Sequence, residues 1–329
     1  MKISKIFNNR YIRIDVSKNA KLPYYLRSIF TFLMPSGFYQ KGLNLILNDN
    51  KDKEYINSRV NYYNKIDKAF TLSDAKSIKA FKKEKKKTYF FDLYKYLTYF
   101  NENLKFSYLF GDIREIPEEP TFLKSRPIEG ANQNSILLNL NKIRHFIFVD
   151  DNKKFEDKKS ILVWRGKAHQ KHRQAFLNKF YAHPLCDVGQ IIKKKDKGTI
   201  EWEKPKMSLK EQLDHKFILT IEGNDVASNL KWVMSSNSLA FMTKPKYETW
   251  FMEGKLIPNH HYVLLKDDYS DLEEKINYYA THEEEAKEII AHANAYVEQF
   301  KNQEREDVIA LKVLNKYFKY TSKIKKGKI

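Results

Sequence analysis

One cysteine, Cys186, is all that this 329-residue chain contains. That count excludes an internal disulfide framework and fits a reducing compartment. No apolar run reaches the roughly 20 residues that a membrane-spanning helix needs. The first residues lack the uninterrupted apolar core of a secretory signal. A cytoplasmic protein is expected, soluble or held peripherally at a membrane. Glycine is scarce, with 10 residues, and no Gly-x-Gly occurs. The dinucleotide fingerprint, the Gly-x-x-x-x-Gly-Lys phosphate loop and the Gly-x-Ser-x-Gly elbow are all missing. No Asp-x-Asp pair is present to hold a divalent ion against a diphosphate. His169, His172, His260 and His261 lack a Cys or carboxylate at ligand spacing, so no metal is expected. Zinc-binding and aromatic RNA-binding signatures are absent too.

Hydrophobic residues make up 42% and aromatics 14% of the chain, which is the composition of a globular protein. Its length allows two domains with real cores. Charge is the outstanding excess. The net charge is +19, and residues 1–100 hold 21 Lys and Arg against 8 Asp and Glu. Such a surface attracts nucleic acid or an anionic membrane face. With no nucleic-acid motif to support the first, the membrane surface is the expected partner. The stretch from Leu22 to Pro35 is aromatic, bounded by prolines and flanked by Lys18, Lys21 and Arg27. It reads either as an interfacial helix or as a core helix. Lys82 to Lys87 reads as a solvated helix end or as a contact to anionic lipid.

Periodicity places strands at Leu104–Phe110, Ile143–Val149, Ser160–Trp164, Leu239–Thr243 and Tyr262–Leu265. Helices are expected over Gln170–Phe180, most of Leu272–Phe300, and the amphipathic basic tail from Lys312. Strands alternating with helices argue for an α/β fold with a parallel sheet of βαβ units in the second half. The most informative segment runs from Phe217 to Lys231. An apolar run ends in Glu222-Gly223-Asn224-Asp225, and a helix is expected from Ser228 to Ser235. In open α/β sheets ligands sit at the carboxyl ends of strands, and helix N-termini there attract phosphate. An ordinary strand followed by a capped helix has the same pattern.

Two further clusters carry chemistry. Trp164-Arg165-Gly166-Lys167-Ala168-His169-Gln170-Lys171-His172-Arg173 crowds cations at a helix start, where they oppose the helix dipole. An anion among them relieves that conflict, and a diphosphate fits: Arg173 offers bidentate hydrogen bonds and Lys167 a point charge. A solvated basic turn is the plainer reading. Asp112 and Glu115 follow the strand that ends at Phe110 and are candidate general bases. Lys124 and Arg126, close behind, are candidates for an acidic acceptor.

These segments resemble glycosyltransferase family 90. The resemblance rests on Trp164-Arg165-Gly166 with Arg173, Glu222-Gly223 through Lys231, Ser236 to Phe241, Glu248-Thr249-Trp250-Phe251 and His261 to Leu272. It covers about residues 105–300 and is closest to the bacterial lipopolysaccharide branch at Gly111-Asp112 and Lys124 to Ile128. It implies a GT-B-like fold, two Rossmann-like domains facing a cleft. The units would be 1–160 for the acceptor, 161–305 for the nucleotide sugar and 306–329 as a C-terminal helix returning to the first. It also implies an inverting, metal-independent transfer from a UDP-sugar, UDP-glucose or UDP-galactose, to a lipopolysaccharide core acceptor at the inner membrane. Donor contacts are then expected from Arg165, Gly166, Lys167, Arg173, Glu222, Gly223, Asn224, Asp225, Ser228, Asn229, Lys231 and Glu248. The chain departs from the eukaryotic members with Lys167 for Ser and Asn229 for Arg. The family's Arg-Asp-x-Pro loop reads Arg114-Glu115-Ile116-Pro117 here. Asp112 and Glu115 therefore stay open as the base. A protein O-glycosyltransferase and a non-catalytic basic protein of the membrane surface are the alternatives.

Overall fold

A computed structural model describes residues 21–48, 52–191 and 201–326. Lys18 and the last three residues lie outside these. The first half opens with helices α1 (Lys21–Leu33), α2 (Ser36–Leu47) and α3 (Lys53–Tyr63), strand β1 (Lys76–Ser77), and helices α4 (Ile78–Phe81) and α5 (Thr88–Leu97). Short strands β2 (Lys105–Tyr108), β3 (Thr121–Leu123), β4 (Ser125–Pro127) and β5 (Ser135–Leu137) follow, then α6 (Lys142–His145). Strands β2, β3 and β5 are parallel neighbours, with β1 antiparallel at the edge. The crossovers between the parallel strands contain no α-helix. The Rossmann-like pattern expected of both halves is therefore seen in the second alone.

The second half comprises β6 (Lys159–Gly166), α7 (Lys171–Phe180), β7 (Cys186–Gln190), α8 (Leu209–Leu213), β8 (His215–Leu219), α9 (Leu230–Met234), β9 (Leu239–Met242), β10 (Tyr247–Thr249), β11 (Val263–Leu264), α10 (Leu272–Thr281), α11 (Glu283–Glu298) and α12 (Gln303–Lys326). Its five-stranded sheet is parallel throughout, in the order β7-β6-β8-β9-β11. Both faces are buried, and the alternation is legible in single strands. Phe217 and Leu219 of β8 join one apolar cluster and Ile218 the other. In β9, Leu239 and Phe241 oppose Ala240 and Met242 in the same way. A sheet covered on both sides needs such continuous apolar runs, which is why these strands stand out in the sequence.

Three expectations need correction. Ile143–Val149 is not a strand: α6 occupies its start and the rest runs unpaired. Its apolar side chains are covered by packing instead, Val149 fully and the rest in part, with Phe146 against Phe251 and Phe300 at 6.3 and 6.2 Å. The helix after β8 is the five-residue α9, shorter than the Ser228–Ser235 expected. The last helix starts at Gln303, more than two turns before the basic tail expected from Lys312. It lies against the first half, where Glu306 pairs with the buried Arg59 at 2.9 Å and Asp307 with Lys95 at 2.6 Å.

Candidate active site

Numbered from β6, the second sheet has strand order 2-1-3-4-5, and its direction of growth reverses between β6 and β8. Loops leaving the carboxyl ends of two such strands diverge to opposite faces and leave a crevice between them. The sequence puts Arg165-Gly166-Lys167 at the end of β6 and Ile221 to Asp225 just after β8. The two motifs therefore meet at this switch point. Gly166 is required by packing, since a Cβ there would lie 2.4 Å from the ring of Trp164, which is buried.

Arg173, in the first turn of α7, ties the two loops together. Its Nε donates to the Glu222 carbonyl at 2.8 Å, Nη1 to Lys167 at 2.8 Å and Nη2 to Ile221 at 2.9 Å. The guanidinium also lies 5.4 Å from the Trp164 ring. All three bonds go to neutral carbonyls rather than to a carboxylate. Burial consequently pulls its pKa down to about 10. The Asp225 and Glu222 carboxylates attract it only in part, and a partly desolvated cation with no direct ion pair favours an incoming anion. The neighbouring side chains tighten the same seam: Gln170 Nε2 donates to Asn224 Oδ1 at 3.0 Å, and His172 Nε2 lies 2.8 Å from the Glu222 carbonyl. Glu222 Oε1 accepts from the Lys246 and Tyr247 amides at 2.9 and 3.3 Å, yet burial outweighs both and raises its carboxyl to about 7.

The first half enters the crevice through Asp112. Gly111 turns the chain after β2 with φ of +115°, a conformation that side-chain-bearing residues rarely adopt. Asp112 Oδ1 then accepts from Lys124 at 2.6 Å and Oδ2 from Asn224 at 3.2 Å. Lys124, 1% exposed, also pairs with Asp225 at 2.6 Å, and Ser125 Oγ donates to Asp225 at 2.7 Å. Burial pushes the Asp112 carboxyl up, but the Lys124 ammonium and the Asn224 amide outweigh it, and the net shift is downward. The carboxylate is therefore ionised near neutral pH, and its lone pairs are shared with Lys124 and Asn224. Glu115 is exposed on the same loop, away from this network.

Several expected contacts lie elsewhere. Arg165 turns toward β7, donating to Asp187 Oδ1 at 2.8 Å and to the Pro205 carbonyl at 3.0 Å. Lys231 is completely buried and paired with Glu253 at 2.5 Å. Arg126 and Glu248 face each other across the antiparallel pair β4–β10 at 2.8 Å, both buried. Arg126 also donates to the Ser135 and Tyr62 carbonyls, which leaves it a bracing role between the halves. Ser228 is exposed, and Asn229 Nδ2 donates to the Leu219 carbonyl at 2.9 Å. With α9 only five residues long, the helix N-terminus available at the crevice is that of α7. Sequence reasoning missed His145, which burial drives down to about 2, with Lys124 and Lys231 adding repulsion. Neither of its ring nitrogens has a hydrogen-bond partner. No periodicity or motif marks it. Among the described residues no His, Cys, Asp or Glu group has the arrangement to hold a metal ion.

The model of glycosyl transferase family 90 matches residues 139–327, which include the whole of the crevice's second-half wall. The chain belongs to glycosyltransferase family 90. Within the relatives of this family 90 enzyme is a protein named O-glucosyltransferase LpsA, from Dichelobacter nodosus. It is 47% identical over 264 residues, covering 80% of this chain and 82% of that protein. An uncharacterized protein, 179R of Invertebrate iridescent virus 6, is 34% identical over 116 residues, 32% of this chain and 10% of its own. The family match begins after Asp112, Glu115, Lys124 and Arg126, but the longer likeness to the Dichelobacter protein is too extended to omit them. A glycosyltransferase needs a donor sugar and an acceptor.

Proposed function

We propose that this glycosyltransferase moves a hexose, glucose before galactose, from a UDP-sugar to the core of lipopolysaccharide or lipooligosaccharide, with inversion at the anomeric carbon. The two sheets would act as the halves of a GT-B arrangement, with residues 1–160 shaping the acceptor side and 161–305 the donor side. The acceptor hydroxyl oxygen attacks the anomeric carbon and its proton passes to Asp112. The bond from that carbon to the diphosphate breaks, and UDP leaves with the electron pair. Lys167, Arg173 and the amides at the α7 N-terminus meet the charge that develops on the diphosphate. In this reading protein cations do what a divalent ion does elsewhere. Gly223 and Asn224 border the nucleotide, and Glu222 is placed to accept a hydroxyl hydrogen bond. The enzyme would work at the cytoplasmic face of the inner membrane.

The observation that carries the reading is Arg173, a half-buried guanidinium at a sheet's switch point whose hydrogen bonds all go to backbone carbonyls. The name of the Dichelobacter relative supports the glucosyl donor. Calorimetric titration with UDP, UDP-glucose and UDP-galactose tests it. Arg173→Ala should weaken UDP binding by about 1.5–3 kcal/mol, the scale of a charge-assisted hydrogen bond. No binding of any of the three by the intact enzyme would sink the donor assignment. Turnover with UDP-galactose alone would replace the sugar and keep the reaction.

A further inference from the structure

Large exposed apolar side chains among the described residues are concentrated on α1 and α2. On α1, Leu22, Leu26, Phe30 and Leu33 are 64%, 60%, 56% and 72% exposed, with Ile29 beside them at 45%. Their spacing of three and four residues puts them on one helical stripe. On α2, Phe38 and Leu45 are 53% and 78% exposed. Isolated exposed apolar residues are ordinary, but a contiguous patch marks an interaction surface.

The opposite faces of both helices are anchored, so the stripe is not a product of loose packing. Tyr24 Oη donates to Asp92 Oδ1 at 2.9 Å, and Phe32 packs on Phe90 and Tyr94 of α5 at 5.9 and 5.3 Å. Gln40 Nε2 donates to the Phe100 carbonyl at 2.9 Å, and Tyr39 packs on Tyr99 at 5.2 Å. The charge around the stripe has one sign. Residues 21–48 contain Lys21, Arg27 and Lys41 and no acid. The basic run from Lys82 to Lys87 flanks α1, since Lys86 Nζ lies 5.2 Å from the Phe32 ring. Its one acid, Glu84, is neutralised by Lys76 at 2.5 Å.

We propose that α1 and α2 form a docking surface for an anionic phospholipid bilayer, their apolar stripe lying in the interface and the cationic rim meeting lipid phosphates. An apolar face rimmed with cations is the arrangement that lies in a bilayer interface. A second copy of the chain fits less well, because pairing two such faces would set cations against cations. No described helix is long and apolar enough to cross a membrane, which leaves surface attachment as the mode. None of the exposed stripe residues belongs to the donor crevice, so its test stands apart from the donor assignment.

The test is co-sedimentation of the full-length protein with vesicles of phosphatidylethanolamine and phosphatidylglycerol, and with vesicles of phosphatidylcholine alone. Wild type should partition onto the anionic vesicles and much less onto the zwitterionic ones. The triple variant Leu26→Ser, Phe30→Ser, Leu33→Ser should lower the partition coefficient on the order of a hundredfold. Its melting temperature should hold, because those side chains are exposed. Lys82, Lys83, Lys85 and Lys87 changed to Gln should each cost about fivefold and together reduce the salt sensitivity of binding. Failure of wild type to bind the anionic vesicles, or equal partitioning by the triple variant, overturns the proposal. So does a concentration-dependent dimer that the triple variant abolishes, since it would assign the face to a second copy.

Discussion

Replacing Lys124 by Met removes one ammonium that two carboxylates share. Lys124 lies 2.6 Å from both Asp112 and Asp225, and it is 1% exposed. Methionine fills similar space, so the change is electrostatic more than steric. Asp225 is left as a buried charge whose remaining partner is the Ser125 hydroxyl. Removing one member of a buried pair costs about 3–5 kcal/mol. At roughly 2–4 °C per kcal/mol, the melting temperature should fall by about 10 °C. Asp225→Asn in the same background removes the stranded charge and should recover most of that loss. Asp112 responds in the other observable. Its carboxyl is held below the usual range because Lys124 outweighs the upward push of burial. A depressed carboxyl contributes stability above its unfolded value and loses it as pH falls through the folded value. Without Lys124 the folded value rises and that contribution disappears. With Asp112 as the base, the acidic limb of kcat/KM then moves to higher pH. Differential scanning calorimetry and a pH–rate profile read the two effects separately. An unchanged melting temperature would refute the energetic argument. A fall in stability with the acidic limb unmoved would refute Asp112 as the base.

Asp112→Asn should lower turnover about 10²–10⁴-fold while UDP affinity holds; Glu115→Gln, on an exposed side chain, should stay near wild type in the same assay, and the reverse ranking would reassign the base. Lys231→Ala strands the buried Glu253 and should cost about 3–5 kcal/mol in chemical denaturation with UDP affinity unchanged. Weaker UDP binding at undiminished stability would return Lys231 to the donor site. Burial raises the Glu222 carboxyl to about 7, above its ordinary 4.5, so the stability it allows is complete at acid pH and is lost as pH rises toward that folded value. Glu222→Gln should flatten stability between pH about 5 and 7, and an unaltered slope in denaturation at several pH values would show that Glu222 is already charged there.

The parts of the fold that were legible share a physical cause. Strands β6, β8 and β9 lie in a sheet buried on both faces, so each is a run of apolar residues that no helix period explains. Gly166 ends β6 and Gly223 lies in the loop after β8, and the chemistry of those two loops could be named from composition alone. Strands β3, β4 and β5 are three residues each, too short for any period. Ser125 and Arg126 of β4 are polar and read as loop, yet both are buried, because the ion pair to Glu248 comes from a strand more than a hundred positions away. Arg165 and Lys231 fail in a related way. A cation in a motif declares its charge but not its partner, and Asp187 and Glu253 reach them from distant elements.

What converts legible loops into a site is strand order, which no local pattern encodes. Had β8 packed on the far side of β7, the loop with Gly166 and the loop with Gly223 would have been separated by a strand and Arg173 could not have bridged them. The observed order puts β8 directly beside β6, so three donors of one guanidinium reach carbonyls of both loops. The same placement brings Asn224 within 3.2 Å of Asp112, 112 positions earlier in the chain. Sequence supplies the cations and the carboxylate, and topology brings them to one crevice. Reversing that logic, a substitution that disturbs the β6–β8 pairing without touching any charged residue should weaken donor binding and turnover together. The buried, uncharged Ile218, whose register partner is Val163, is the position where that coupling is most exposed to test.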